Sequence, residues 1–304
     1  MGLKLFLSFV FIMLVIVLLL IYWFVPLSTI EFVTDSNFQE RTNNSFAESA
    51  QFYENMRFSN QDISYKIYDC PLKKKNDMEQ AFGIVSDSTI LDFYAVDFGE
   101  EISVTCDSKN KIEDGLFIAG EGGPVNITKG DIFNVILKGK ILLIKDSTCE
   151  TPNVALHELF HVLGFGHSDN PSDLMYPVSK CSQTINLDML EVINELYSTP
   201  NEPDLTFSDV SAVMNGKYLD INMSIKNNGL KKSGKAKILI YADEKFVKEI
   251  ELEELEIGYG RLIVLMNLWI NQINIESLEI VINSDFLELE KNNNRIKLGM
   301  KNKN

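Results

Sequence analysis

The three histidines of the chain fall within eleven consecutive residues, His157 to His167, which read HELFHVLGFGH. On a helix, residues i and i+4 share a face, so His157 and His161 can direct both imidazoles at one metal ion. Gly164 allows a sharp turn, through a positive φ where needed, and His167 then supplies a third nitrogen. Three nitrogen ligands leave a fourth position for water, which is typical of a catalytic zinc site.

Glu158 follows the first of these histidines, a position beside the metal rather than on it. Zinc would lower the pKa of a bound water to around 7 and polarise a carbonyl group. Glu158 would take the proton of that water and pass it to the departing amine. The spacing therefore predicts hydrolysis of a peptide bond. A lone H-E-x-x-H arises by chance, but the third histidine at the distance that the turn requires argues against chance here.

The same stretch resembles the zinc signature of the metzincins, H-E-x-x-H-x-x-G-x-x-H, and its continuation through Ser168 to Pro177 resembles the matrixin branch. The resemblance implies that Met175 lies beneath the zinc as an apolar floor. Astacin-type and serralysin-type relatives carry a tyrosine two residues after this methionine, where this chain has Pro177. The resemblance covers roughly residues 62–199 and implies an α+β protease domain with a mixed, mostly parallel sheet.

The chain departs from animal matrixins in two respects. No histidine is left for the second, structural zinc of those enzymes, so we expect one catalytic Zn²⁺ per chain. The propeptide cysteine that caps their metal has no counterpart in residues 29–69, and Cys70 is the cysteine that could serve instead. Structural Ca²⁺ is common in the family and the acidic composition allows it, but nothing in the spacing places a calcium site.

Four cysteines, Cys70, Cys106, Cys149 and Cys181, allow three pairings or a set of buried free thiols. Disulfides persist in oxidising compartments, and we expect this chain to lie in one. Cys149 is expected to pair with Cys181, because the two bracket the histidine segment. Cys70 is expected to pair with Cys106, because both lie in strands predicted to be neighbours.

The N-terminal end carries an apolar run without charge from Leu5 to Val25, about the length that a helix needs to cross a hydrocarbon core of about 30 Å. A cleavable signal sequence has a shorter apolar region and small residues at the cut, so we favour an uncleaved transmembrane signal-anchor over residues 1–28. Lys4 precedes the run and Glu31 follows it. The positive-inside rule then predicts a single-pass protein of the cell membrane, with a short cytoplasmic N-terminus and the catalytic domain outside.

The elements that position the histidines are predicted over residues 62–199, after a polar stalk or linker at 29–61. Thr151 as N-cap and Pro152 in the first turn begin the helix that carries His157, and Gly164 ends it. The glycines from Gly120 to Pro124 indicate a loop or bulge. Apolar periodicity predicts strands at 63–68, 90–96, 101–105 and 141–145 and helices at 74–85, 151–163 and 187–197.

The chain changes character beyond a linker at residues 200–203. Alternating apolar and polar residues predict short strands at 219–225, 236–240, 246–252, 260–266 and 278–282. This pattern favours an antiparallel β-sandwich of immunoglobulin-like size over residues 200–304. Its borders, at 203–205 and 290–294, resemble those of the CARDB adhesion module. That resemblance implies binding of a surface ligand, or spacing, rather than catalysis.

Composition narrows the functions further. The 304 residues, 45% of them hydrophobic, suit two globular domains, and the formal net charge of −15 excludes nucleic acid as a partner. The leading hypothesis is a membrane-anchored, extracytoplasmic zinc endopeptidase that acts on proteins or peptides. One alternative is an adhesion or binding protein whose β-sandwich is the functional part and whose zinc domain is structural or vestigial. Another is a zinc hydrolase of non-protein amides, such as the peptide links of a cell wall.

Overall fold

A computed structural model describes the chain except for residues 1, 25–28, 35–50, 109–110, 114–115, 272–274 and 302–304. Helices α1 to α4 cover Gly2–Phe24, Leu72–Ser88, Asn153–Val162 and Leu187–Ser198. Strands β1 to β9 cover Thr29–Thr34, Met56–Phe58, Asp62–Ile67, Asp92–Ala95, Ile102–Cys106, Lys111–Glu113, Leu116–Ile118, Gly120–Lys129 and Asn134–Leu143. Strands β10 to β16 cover Leu205–Asn215, Tyr218–Asn227, Ala236–Ala242, Lys245–Leu252, Gly260–Trp269, Ser277–Asn283 and Arg295–Met300, and a short 3-10 helix covers Asn292–Asn294.

The N-terminal of the two domains is built on a mixed sheet, as predicted. Its strands follow the order β2-β9-β5-β3-β4, all of these pairs are parallel, and β8 adds to β9 in the antiparallel direction. Parallel neighbours need a crossover, and α2 provides the one between β3 and β4. Helices α2 and α3 contact each other, and their apolar faces share one core with the sheet.

Two predictions in this domain need correction. Gly120 to Pro124, expected as a loop or bulge, begins the ten-residue strand β8, and the irregularity falls in its register between Pro124 and Asn126. Strand β9 begins at Asn134 instead of residue 141, because its N-terminal half is needed to pair with both β2 and β8.

The C-terminal domain is antiparallel throughout, in the order β13-β12-β15-β16-β1-β10-β11-β14. Its inward-facing residues alternate along the strands, as in the run Leu219, Ile221, Met223 and Ile225, each fully buried. Apolar residues from both halves of the sheet form one core. The sandwich expected here is therefore closed along one side into a continuous sheet, because β1 lies between β16 and β10.

The stalk or linker expected over residues 29–61 does not hold for two segments within it. Strand β1 places Phe32 in the core of the C-terminal domain, where the side chain is 3% exposed. Strand β2 places Met56 and Phe58 in the core of the N-terminal domain. Both strands are short and lie among polar residues, so the average composition of the segment conceals them. The rest of the expected stalk, residues 35–50, lies outside the described residues.

Helix α1 carries the apolar run of the N-terminus. Its side chains are described without interruption for residues 6–20, and all of these are exposed. Among the residues that the structure describes, no helix is long and apolar enough to cross a bilayer.

Both expected disulfides are confirmed. Cys70 follows β3 and bonds to Cys106 at the end of β5, and Cys149 bonds to Cys181. The second bond joins the chain before α3 to the chain before α4 and so closes a loop around the histidine segment. Because Cys70 is in a disulfide, its thiol is not free to cap a metal.

The two domains meet at the turn between β8 and β9. Lys226 Nζ lies 3.1 Å from Asp131 Oδ1, and Asn228 Nδ2 donates to Asp131 Oδ2 at 3.2 Å. Around these polar contacts, Phe133 and Val135 form a buried apolar cluster with Leu230. The C-terminal domain therefore contacts the N-terminal domain at one end of its sheet. At this end, Leu205 of β10 lies opposite Asn227 of β11.

Candidate metal centre

Helix α3 holds two of the three histidines inside the protein. His157 and His161 are each 8% exposed, and the helix residues beside them, Leu156, Leu159 and Phe160, are at most 1% exposed. A helix that is buried on nearly all sides is fixed by packing rather than by capping. The prediction of Thr151 as N-cap was wrong: the N-cap is Pro152, which makes no side-chain cap bond.

Gly164 then reverses the chain. Its φ is +99°, a conformation that side chains with a Cβ rarely adopt. A Cβ at this position would also lie 2.7 Å from Met56 Sδ. The glycine predicted to allow the return of His167 is therefore required for two independent reasons, backbone conformation and space.

The histidine nitrogens converge. Nε2 of His161 lies 3.0 Å from Nε2 of His157 and 3.2 Å from Nε2 of His167. Nδ1 of His157 is 2.7 Å from the Leu174 carbonyl oxygen, and Nδ1 of His161 is 2.8 Å from that of Phe165. A carbonyl oxygen only accepts, so each of these Nδ1 atoms carries the proton and each matching Nε2 presents a lone pair in the neutral ring.

Two facing lone pairs do not form a hydrogen bond, so the short Nε2 contacts call for a cation between them. Zinc–nitrogen bonds of about 2.0–2.1 Å in a tetrahedral arrangement separate the nitrogens by about 3.3 Å, close to the observed distances. The three ligand atoms all lie within 4.8 Å of one another. Three features thus fit a zinc ion: the three imidazole donors, the distances between them, and the hydrogen bond from Nδ1 of His157 and of His161 to a backbone carbonyl.

The electrostatics of these rings favour metal binding. The pKa of His161 is lowered to about 4, chiefly by burial and to a smaller extent by the neighbouring imidazoles, while the hydrogen bond to the Phe165 carbonyl opposes the shift. Burial likewise lowers the pKa of His157. Both rings are therefore neutral at pH 7, which is the form that binds a metal.

Glu158 is 6% exposed and lies under strand β8. Burial, and to a smaller extent the charge of Glu121, raises its pKa to about 8. A Cβ added at Gly120 would lie 2.7 Å from Glu158 Oε1, and one at Gly122 would lie 2.3 Å from the Glu158 carbonyl oxygen. These two glycines let the strand approach the carboxyl group. Sequence reasoning noted the glycine cluster but did not assign it to the site.

The segment after the histidines contacts His157 through the Leu174 carbonyl. Met175 is 1% exposed, and its amide N–H donates to Asp173 Oδ1 at 2.8 Å. Asn186 Nδ2 donates to the other carboxylate oxygen of Asp173 at 3.3 Å. Asp173 therefore fixes the turn whose Leu174 carbonyl orients His157. The position of Met175 beneath the metal stays a prediction. Sequence reasoning missed Asp173, because the spacing of the motif does not reveal its hydrogen bonds.

Phe52 is a second residue that sequence reasoning missed. Its ring stacks against that of His161, with centroids 5.9 Å apart, and its amide N–H donates to the Gly164 carbonyl at 2.8 Å. It precedes the expected start of the domain at residue 62, and no local pattern indicates its position.

The three predicted ligands, His157, His161 and His167, thus come together around one point. Within the described part of the chain, His157, His161 and His167 are the cluster of three or more His, Cys, Asp or Glu side chains close enough to hold an ion. The first two are buried and His167 is exposed, so the cluster opens to solvent on the side of His167.

Comparisons with known proteins agree with this geometry. The matrixin family model matches residues 57–198, and the CARDB family model matches residues 202–297. The macrophage metalloelastase of Rattus norvegicus is 28% identical over 168 residues, which are 47% of this chain and 34% of that protein. The metalloendoproteinase 4-MMP of Arabidopsis thaliana is 36% identical over 81 residues, 26% of this chain and 23% of that protein.

A solved structure, the CARDB domain of a Pyrococcus furiosus protein in complex with di-metal ions, covers 32% of this chain and 88% of its own, at 16% identity and a TM-score of 0.27. The chain spans 34% and 23% of the lengths of the two curated relatives. The chain therefore contains a matrixin domain over residues 57–198, followed by a CARDB domain over residues 202–297.

Proposed function

We propose that this protein is a membrane-anchored, extracytoplasmic zinc endopeptidase with His157, His161 and His167 as zinc ligands and Glu158 as general base. The observation that carries the proposal is the convergence of three imidazole Nε2 atoms, two of them with their Nδ1 protons held by carbonyl oxygens. The matrixin match over residues 57–198 supports it.

The residues of the chain divide the chemistry between them. A zinc ion held by the three histidines would supply a Lewis acid and an acidified water. Glu158 accepts the proton of the attacking water and donates it to the leaving amine. A pKa raised to about 8 by burial makes this carboxylate a stronger base than an exposed glutamate, and a cation at the histidines would oppose that shift.

Strand β8 offers a place for the substrate. In the described part of the chain it pairs with β9 along one side only. Its other edge pairs with no described strand, and an extended peptide can add there as a further strand. Because Gly120 and Gly122 bring this strand against Glu158, a peptide bound there would pass close to the general base. This geometry supports peptides or extended protein segments as substrates.

Anchoring and location rest on the sequence and the disulfides. The uncharged run from Leu5 to Val25 suits an uncleaved anchor, and the side chains of residues 6–20 find no protein surface to pack against among the described residues. Two disulfides suit an oxidising compartment. Carbonate washing of membranes tests the anchor: the full chain should stay in the pellet, and a variant without residues 1–28 should move to the supernatant.

Cleavage of an unbiased peptide library by the detergent-solubilised full chain tests the activity. We expect cleavage that a chelator abolishes and zinc restores, with one zinc per chain by elemental analysis. Glu158→Gln should lower kcat/KM by about 100- to 10,000-fold while zinc stays bound. Glu191→Gln, the same change at an exposed position of α4, should have no effect.

The competing function, an adhesion protein whose CARDB domain alone is active, predicts a different result. It gives no chelator-sensitive cleavage of any peptide, although the histidines still bind zinc. Equal rates for the Glu158→Gln variant and the parent would contradict the assignment of the base.

A further inference from the structure

We propose that the CARDB domain, although it follows the protease domain in sequence, is the membrane-proximal part of the protein. Strand β1 fastens the N-terminal anchor to the CARDB sheet, and the end of that sheet marked by Tyr218 and Trp269 rests on the lipid headgroups. The proposal rests on the membrane anchor of the proposed function. It identifies the partner of this end of the sheet as a phospholipid surface.

Strand β1 is held on both sides. It pairs with β10 from Thr29 to Phe32 and with β16 from Phe32 to Thr34. Phe32 is 3% exposed in the CARDB core, and Ile30 packs against the same core. On the opposite face, Lys301 Nζ donates to Glu31 Oε2 at 2.7 Å. The chain that leaves α1 is therefore built into the CARDB domain before it reaches the protease domain.

The register places the entry point of β1 at one end of the sheet. Thr29 lies opposite Asn215, Asn215 opposite Tyr218, and Tyr218 opposite Trp269, in a single row across four strands. Neighbouring strands are about 4.8 Å apart, so Trp269 lies about 14 Å from Thr29. Tyr218 and Trp269 are 46% and 50% exposed, and Met266, three residues before Trp269, is 71% exposed.

The length of chain between α1 and β1 keeps this row near the bilayer. Helix α1 ends at Phe24 and β1 begins at Thr29, a separation of five residues that spans at most about 18 Å. Tyrosine and tryptophan favour the headgroup region, where the ring is buried and its polar atom stays hydrated. An exposed Tyr–Trp pair at this end thus matches the chemistry of a zwitterionic lipid surface, without a need for basic residues.

The protease domain meets the CARDB domain at the opposite end. The contacts to Asp131 and Phe133 come from Lys226, Asn228 and Leu230, beside the pair Leu205–Asn227. Strand β10 has eleven residues from that end to Asn215, a distance of about 33 Å. The CARDB domain would hold the protease domain about that far from the lipid and so select substrates that extend beyond the membrane surface.

The depth of Trp269 tests the lipid contact. The chain has two tryptophans, Trp23 and Trp269, so Trp23→Phe leaves Trp269 as the only tryptophan reporter. With this variant in phosphatidylcholine vesicles, we expect quenching of Trp269 by a nitroxide at the lipid headgroup and at least threefold less quenching by aqueous iodide than in the same variant without residues 1–28. Strong iodide quenching without headgroup quenching in vesicle-bound protein would overturn the inference alone. Failure of the full chain to bind vesicles would overturn the anchor and the inference together.

Cutting the chain between β1 of the CARDB domain and β2 of the matrixin domain tests the role of β1. A specific protease site inserted between residues 34 and 51 separates α1 and β1 from the rest. After cleavage, we expect the remaining piece to stay on the vesicles, and release of most of it would overturn the inference.

Two substitutions in β1 sharpen this measurement. Phe32→Asp should release the cleaved piece at least tenfold more than Val33→Asp, because Val33 is 44% exposed on the opposite face of the same strand. Equal release by the two variants would contradict the proposal that the buried side chain of Phe32 holds β1 in the CARDB sheet. Peptide cleavage by the released piece shows that its protease domain is folded.

Discussion

The two domains differ in the kind of polar group that they bury. Among the described residues, the matrixin domain buries six acidic, basic or histidine side chains, and the CARDB domain buries one, Asp204. The six are Arg57, Lys74, His157, Glu158, His161 and Asp173. A buried ionisable group costs free energy unless partners compensate it, so a domain retains such groups only where they hold structure or perform chemistry.

The partners separate these two uses. Arg57 donates to the carbonyl oxygens of Leu196 and Thr199, and Lys74 donates to those of Asp107 and Ile144, which ties helix ends and strands together. The three imidazoles instead direct Nε2 atoms at one another. Arg57 and Lys74 are therefore structural, whereas His157 and His161, which bond carbonyl oxygens through Nδ1 and converge through Nε2, mark the site.

The disulfides give the largest expected difference between the domains. Both lie in the matrixin domain, and the bond from Cys149 to Cys181 closes 32 residues. Replacing both of these cysteines by serine should lower the stability of the matrixin domain by about 4 kcal/mol in the chain-entropy model. Calorimetry should show the transition of the CARDB domain unchanged. Equal downward shifts of both transitions would show that the domains unfold as one unit.

Packing changes in the CARDB domain should affect stability and leave catalysis alone. Ile240 is fully buried in its core, and Ile240→Ala should cost about 3 kcal/mol, within the range for large-to-small core changes. We expect kcat/KM on a short peptide to stay the same at a temperature where the variant is folded. Lys237→Ala, at an exposed position of the same strand, serves as control. A tenfold loss of activity in Ile240→Ala would mean that the site depends on the CARDB core.

The turn below the histidines should matter for zinc more than for folding. Asp173→Ala removes the acceptor for the Met175 amide and loosens the turn that orients His157. Substitutions that act on the orientation of a ligand cost about 10- to 100-fold in metal affinity or activity. Competition with a zinc chelator measures the loss. Asp169→Ala, exposed and close in sequence, should bind zinc like the parent.

The smallest predicted effect is a pH dependence of the metal-free protein. Since burial raises the pKa of Glu158 to about 8, the folded protein holds a proton that the unfolded chain has released, and stability falls as pH rises by up to about 1.4 kcal/mol per unit. We choose pH 7 to 8, above the range where the lowered histidine pKa values act in the opposite direction.

Urea unfolding with chelator present measures this slope. The parent should lose about 1 kcal/mol between pH 7 and pH 8, and Glu158→Gln should lose none of it, because its amide does not titrate. Glu191→Gln should keep the slope of the parent. A parent whose stability is level over this range would show that Glu158 is not buried as the geometry indicates.

Sequence reasoning succeeded where the signal is local. The i, i+4 spacing of His157 and His161 and the glycine after the helix depend on a few neighbouring residues, and so do the alternating strands around Ile221 and Ile238. The disulfide pairs followed from the order of the elements. These features are fixed by helix and strand geometry, which the sequence displays directly.

The failures involve contacts between residues far apart in the chain. Nothing near Gly120 or Phe52 indicates that the first touches Glu158 and the second His161. Strand β10 escaped prediction because a register shift between Phe207 and Asp209 interrupts its alternation. Strand β1 escaped because its partners begin at Leu205, far along the chain, where only the folded sheet brings them together.

The position of β1 also governs the order in which the protein can assemble on the ribosome. Its residues are synthesised before the matrixin domain, yet both of its neighbours, β10 and β16, follow that whole domain. Synthesis proceeds at about 5–20 residues per second, so the 170 residues from 35 to 204 delay the appearance of β10, the first partner of β1, by about 10–30 s. During that time the protease domain is complete in sequence while the CARDB sheet is not. Nascent chains would therefore carry a folded catalytic unit before the module that positions it has closed.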